Sequence, residues 1–153
     1  MKAAYKYRFY PDKQQEALLA QSFGCVRFVW NKVLDYRNKQ FEVGNKINSS
    51  AAMKYLTDLK KEPEFTFLNH VSSVALQQSV RNQNKAYDNF FAKRAKFPRF
   101  KSKKNTNQSY TSKFVNNNIR IVDEHHIKLP KLGLVYFKAG RILNGKIRAV
   151  TVR

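Results

Sequence analysis

Acidic residues are scarce in this chain: 10 Asp and Glu stand against 30 Lys and Arg, leaving a formal charge of +20 over 153 residues. That imbalance excludes a self-neutralised surface, and the compact state repels itself unless a polyanion covers it. A single cysteine, Cys25, excludes an internal disulfide and any multi-cysteine zinc site. Its apolar neighbours mark it as a small buried residue rather than a nucleophile. The five glycines are isolated from one another, so no phosphate-cradling glycine loop can be assembled. No apolar run approaches the roughly 18–20 residues of a membrane span, and the opening MKAAYKYRFY lacks the apolar centre of a signal peptide. These absences point to one ordinary domain, cytoplasmic and nucleoid-associated, with no membrane partner.

Catalytic signals are equally thin. Metal-dependent phosphodiester cleavage needs several carboxylates converging on ions about 3.5–4 Å apart. The acids here, Asp12, Asp35, Asp58, Asp88, Asp123, Glu16, Glu42, Glu62, Glu64 and Glu124, are dispersed over caps, helix faces and turns. Asp123-Glu124 reads as a hairpin turn. The His125-His126 pair has no evident carboxylate or cysteine to orient it and reads as structural or solvent-facing. No active site and no cofactor are expected in this chain.

What the chain does have is Lys93–Lys113, KRAKFPRFKSKKNTNQSYTSK, with eight Lys and Arg, no acid, and Phe97, Phe100 and Tyr110 interspersed. Cations mixed with aromatics, amides and hydroxyls suit a surface that grips phosphates and touches bases. A disordered basic tail is excluded, because 42% of the chain is hydrophobic and its 12 Phe, 8 Tyr and 1 Trp supply a core.

The element order follows from periodicity. Residues Ala3–Tyr10 alternate as a half-buried strand. Asp12 with Gln15 forms a capping box that opens a helix to about Gln21. After a junction at Ser22-Phe23-Gly24, a second helix carries Val26, Val29, Trp30, Val33, Leu34, the stem of Arg37, and Phe41 on one face, and Gly44-Asn45 closes it. Asn48, Ser49 and Ser50 offer caps for a third helix that stops near Pro63. A fourth, roughly His70–Lys93, can bury Val74, Leu76, Val80, Tyr87, Phe90 and Phe91. Its other side aligns Ser73, Gln77, Arg81, Lys85 and Asp88, beside the amides Gln78, Asn82, Gln83 and Asn84, which have the donors and acceptors to read base edges. Beyond Pro98 short strands are expected at Tyr110–Val115, Ile119–Val122, His126–Leu129, Leu134–Lys138 and Lys146–Val152. Turn signals at Asn116-Asn117-Asn118, Asp123-Glu124, Pro130 to Gly133 and Asn144-Gly145 separate them. The first strand cannot stand alone and must pair with the late ones. The fold class is therefore α+β: a small β-barrel from 1–10 and 98–153, with about four helices inserted as 11–97.

Several stretches, in order, resemble the TnpB (OrfB-type) proteins of bacterial insertion sequences: YKYRFYPDKQQEALLAQSFGCVRFVWNKVL (Tyr5–Leu34), ALQQSVRNQNKAYDNFF (Ala75–Phe91), FPRFKSK (Phe97–Lys103), IKLPKLGLVYFK (Ile127–Lys138) and GKIRAVTV (Gly145–Val152). The resemblance implies the recognition half of an RNA-guided DNA endonuclease. A wedge-like barrel and an inserted helical recognition lobe would hold a guide RNA and read a short motif beside the DNA target, with the remaining sequence read by RNA–DNA pairing. By matching position, Ser49, Ser73, Gln77, Arg81 and Asn116 would face target DNA. Lys6, Arg8, Arg94, Arg99, Lys101, Lys103 and Lys104 would contact RNA and phosphates. The family's RuvC-type nuclease, whose acids hold Mg²⁺, and its zinc ribbon would lie downstream of Arg153, so this chain is expected to bind without cutting.

Two other readings stay open. The chain could be one part of a nuclease completed in trans by a separate RuvC-type domain. It could instead be a stand-alone transcriptional regulator whose first two helices form a helix-turn-helix.

Overall fold

Asp12 starts the first helix as its spacing predicts. Its carboxylate accepts the Gln15 backbone N–H at 2.8 Å, and its own N–H donates to Gln15 Oε1 at 2.9 Å. The capping box thus satisfies two backbone groups that a helix start leaves open. The computed structural model describes residues 2–105, 107–138 and 145–153. In it a short strand, β1 (Arg8–Tyr10), precedes a 30-residue helix, α1 (Lys13–Glu42). The break expected at Ser22-Phe23-Gly24 does not occur. Leu19 and Ser22 before it, and Cys25, Val26, Val29, Trp30, Val33 and Leu34 after it, line one continuous buried stripe. Each large apolar side chain so buried is worth about 1.5–3 kcal/mol, against about 1 kcal/mol for a glycine inside a helix.

Asn48, one of three expected caps, accepts the Ala51 N–H at 2.8 Å and opens α2 (Ser49–Lys61). Pro63 ends that helix, and Pro63–His70 winds into 3₁₀ turns that carry Phe65 and Phe67 onto Phe28, with ring centroids 5.2 and 5.3 Å away. Ser72 then caps α3 (Ser73–Phe91). Leu76 and Val80 of α3 are fully buried, whereas Phe91 in its last turn is 64% exposed, and so is Phe41 of α1 at 75%. Both were expected to be covered, and both stand at the C-terminal ends of their helices.

Two hydrogen bonds fix the way α1 meets α3. The Ser79 hydroxyl donates to the Val26 carbonyl at 3.2 Å, and Gln83 Nε2 donates to the Trp30 carbonyl at 2.9 Å. Four residues separate the donors and four separate the acceptors, in the same sense, so the helices run parallel. Gln83 is therefore wholly buried and Asn84 bonds Arg37 of α1, which removes both amides from the base-reading face expected of them.

The strands are β2 (Tyr110–Lys113), β3 (Arg120–Asp123), β4 (His126–Leu129), β5 (Gly133–Lys138) and β6 (Ala149–Val152). β1 pairs with β5 across almost the whole chain, as a lone first strand must, giving an antiparallel sheet ordered β1-β5-β4-β3. β2 and β6 pair separately. The expected barrel is thus not closed among the described residues: the strands form two sheets. β1 spans three residues rather than Ala3–Tyr10, and β6 starts at Ala149 rather than Lys146, which shortens the edges available for closure. Asn144 of the expected Asn144-Gly145 turn lies outside the described residues. One hydrophobic core joins helices and sheets, from Val29, Val33 and Leu76 to Ile119, Leu129, Val135 and Val152.

Candidate nucleic-acid interface

The basic segment is tied down by α1. Trp30 Nε1–H donates to the Arg99 carbonyl at 2.8 Å. Asn31 closes a two-way clamp, donating to the Lys101 carbonyl at 2.9 Å and accepting the Lys101 N–H at 2.7 Å. Pro98 is buried, and Phe97 packs edge-on against Tyr87 and Phe90 with ring centroids 5.4 and 5.2 Å away. A stretch without helix or ladder bonds is thereby held on one path. Arg94, Arg99, Lys103 and Lys104 stay exposed along it.

Lys101 is exposed as well, but its ammonium is engaged within the chain. Its ammonium lies 4.4 Å from the centre of the Trp30 ring, and loss of hydration there lowers its pKa. Cation–π contact holds the side chain on the indole. Arg37 is likewise committed, buried between Asn84 and the Tyr87 ring, where desolvation lowers its pKa.

Among the described residues, Lys39 is the one Lys or Arg whose side chain pairs with a carboxylate, Asp35 at 2.9 Å. The other Lys and Arg side chains of the described residues form no ion pair with a carboxylate. That residual field is the electrostatic footprint of a polyanion binder.

The expected DNA contacts fall into two places. Ser73 and Arg81 are exposed along α3, while Gln77 is half-buried in a groove of about 350 Å³ that it shares with Met53, Leu56, Thr57, Lys60 and Asn69. Ser49 is exposed one helical turn before Met53 on α2. Asn116 belongs instead to the turn after β2. There Asn116 and Asn117 take positive φ of 51° and 57°, a conformation Asn tolerates better than most residues. Asn118 locks this turn, accepting the Val115 N–H at 2.8 Å and donating to the Lys113 carbonyl at 3.0 Å. Lys113, Asn117, Arg120 and Arg148 line a cleft of about 1560 Å³.

The histidine pair does have a carboxylate partner, contrary to expectation. Asp123 accepts the His125 backbone N–H at 2.8 Å, and its Oδ1 lies 3.0 Å from the ring Nδ1 of His126, the one ring of the pair that it meets. These bonds hold the Asp123 carboxyl below its ordinary pKa. Among the described residues no three His, Cys, Asp or Glu side chains group so as to hold a metal ion. None of the described helices is long and apolar enough to cross a membrane.

Sequence patterns also passed over the outer face of the four-stranded sheet, where Arg8 stands opposite Lys138 and Arg120 opposite Lys128. The alternation in Leu134–Lys138 signals that face, but the pairing of β1 with β5 is needed to assemble it.

A helix-turn-helix domain model of the OrfB, IS605 type matches residues 1–46. Over 113 residues, 71% of this chain, the sequence is 48% identical to a Streptomyces pristinaespiralis protein provisionally named an RNA-guided DNA endonuclease. It is 36% identical over 151 residues, 97% of this chain, to Escherichia coli InsQ, provisionally named in the same way. The chain belongs to the TnpB (OrfB-type) family. It spans 27% and 37% of the length of these two TnpB-type relatives. It is also 32% identical over 113 residues to the virulence protein VsdF of Salmonella dublin, covering 67% of this chain and 95% of that protein. Within the part matched by the helix-turn-helix model, this TnpB-type chain forms β1 and the unbroken α1, which ends in a turn at Val43-Gly44.

Proposed function

We propose that this chain is the nucleic-acid recognition part of a TnpB-like, RNA-guided system, binding guide RNA and reading a motif beside the DNA target. The observation that carries this is the near-absence of internal counter-ions combined with a basic segment held on one path. Charge alone would suit any polyanion, but clamping Arg99 and Lys101 by their backbones positions a row of cations at the cost of chain entropy. Arg94, Arg99, Lys103 and Lys104 on that row, with Lys6 and Arg8 near the first strand, make the RNA-phosphate contacts. Ser49, Ser73, Gln77 and Arg81, with Asn116 from the sheets, face target DNA. The two sheets and their cleft stand in for the family's wedge-like barrel. No cutting step and no cofactor are assigned to these 153 residues, and the protein works in the cytoplasm beside the nucleoid.

The test is to purify the chain from its host at moderate salt and sequence the RNA that remains bound. A discrete structured RNA mapping beside its own gene is expected. A random RNA population, or DNA binding undiminished by ribonuclease, would overturn the guide-binding assignment.

A further inference from the structure

The strand register places an unusual set of side chains on the solvent face of the four-stranded sheet. Directly opposed residues share a face, so the pairs Arg8–Lys138, Tyr10–Tyr136, His126–Tyr136, Lys128–Leu134 and Arg120–Lys128 lie together on one side. Phe9, Phe137, Val135 and Ile127 occupy the other side, against the core.

Two of these pairs set like charges directly opposite, an arrangement that destabilises a sheet. Asp123, opposite His126 in the register, is engaged by the His126 ring, and among the described residues no acid forms an ion pair with any of the four cations. Edge strands often carry Lys or Arg to block aggregation, which would account for Arg8 and Arg120. It does not account for Lys128 and Lys138, which lie on the two central strands. A local choice that costs stability without internal compensation marks a functional surface.

Between the cations runs an exposed aromatic row. Tyr10 is 47% and Tyr136 44% exposed, with ring centroids 5.8 Å apart and ring planes tilted by 53°, so each offers its own face. His125 lies nearly parallel to Tyr136 at 5.6 Å, and His126 meets it edge-on at 5.8 Å. The four strands span about 14 Å across this face at the usual strand spacing.

We infer that the outer face of the four-stranded sheet is a stacking platform for the unpaired bases of a single-stranded nucleic-acid segment, with Tyr10 and Tyr136 as its plates. The inference rests on the nucleic-acid reading above and specifies the strandedness of the ligand at this face. In a duplex each base's π-face is covered by its neighbours, so flat aromatic plates have only phosphates to meet there. An unpaired segment offers bare π-faces to the tyrosines and phosphates to Arg8, Lys138, Lys128 and Arg120 at once. A stacked base contributes about 5- to 150-fold in affinity.

The test uses short single-stranded RNA and DNA of one sequence, each carrying 2-aminopurine, beside a hairpin duplex without it. Binding by the wild-type chain should quench the 2-aminopurine of both single strands. Tyr136→Leu and Tyr10→Leu should abolish the quench and weaken single-strand binding on the order of 10-fold, leaving duplex affinity nearly unchanged. Tyr136→Phe should keep both the quench and the affinity. RNA bound more tightly than DNA would add a 2′-hydroxyl contact to the same platform. Tyr10 lies on an edge strand, so Tyr10→Leu decides the matter even if Tyr136→Leu fails to fold. Unchanged single-strand binding by folded Tyr10→Leu, or equal losses on single strand and duplex, would overturn the platform and leave the broader assignment standing. Failure of the wild-type chain to bind any of the three probes would overturn both.

Discussion

The ammonium of Lys101 lies 4.4 Å from the ring centre of Trp30, whose indole N–H is bonded to the carbonyl of Arg99. One side chain of α1 thus holds two points of the basic segment, one by its ring face and one by its edge. Trp30→Phe removes the edge bond and weakens the cation–π contact. We expect a loss of about 1–2 kcal/mol, read by urea unfolding, and faster tryptic cleavage after Arg99. Unchanged cleavage would mean that Asn31 alone fixes the segment.

Arg99 and Lys101 should respond differently to salt when each is removed. If about six to ten phosphates are neutralised, affinity for nucleic acid falls about 10³- to 10⁵-fold between 50 and 200 mM salt. Arg99→Ala should lower the slope of log affinity against log salt by about 1. Lys101→Ala should change it less, because its ammonium rests on an indole. Equal slopes for the two variants would place both cations on phosphates.

Gln83 makes a sharper test of packing against recognition. It is completely buried, its Nε2 bonded to the Trp30 carbonyl, while its Oε1 finds no hydrogen-bond partner among the described residues. Gln83→Leu removes that orphaned acceptor along with the bond and should alter stability by less than about 1 kcal/mol. Gln83→Ala leaves a cavity and should cost about 2–4 kcal/mol. Neither should change preference among DNA sequences, whereas Gln77→Ala should, with little effect on RNA. Binding competitions against a panel of duplexes separate these outcomes.

Tyr110 contributes to stability at alkaline pH. Burial pushes its phenol up to about 12, partly offset by a hydrogen bond with Ser22. An unfolded tyrosine titrates near about 10. The folded state therefore holds the proton more firmly, and the stability this provides is complete below about pH 10 and is lost as pH rises through the folded value. Denaturant melts across that window should show the wild-type chain losing more stability than Tyr110→Phe. Parallel losses would exclude the effect.

How much was legible in the sequence depends on the range of the interaction. The Asp12–Gln15 box and the Asn48 and Ser72 caps are settled within one helical turn, so spacing alone finds them. Gly24 misled because its local cost is visible in sequence, while the burial that overrides it comes from packing against α3. Gln83 and Asn84 misled for a related reason. Their amides are as suited to a neighbouring helix as to a base edge, and only the docking of α1 decides between them. The contact of Tyr10 with Tyr136 depends on pairing β1 with β5, across most of the chain, which no local pattern specifies.

The Gln15 amide that completes the helix cap also donates to the carbonyl of Leu134 at 2.6 Å, 119 residues further on. Polypeptide leaves a ribosome at about 5–20 residues per second, so this donor waits about 6–24 s for its acceptor during synthesis. Through that interval β1 has no neighbour, and its arginine and aromatics face the solvent of a cell rich in RNA. On the proposed reading, a nascent chain of this kind presents Arg8, Phe9 and Tyr10 to nucleic acid before its first strand meets its sheet.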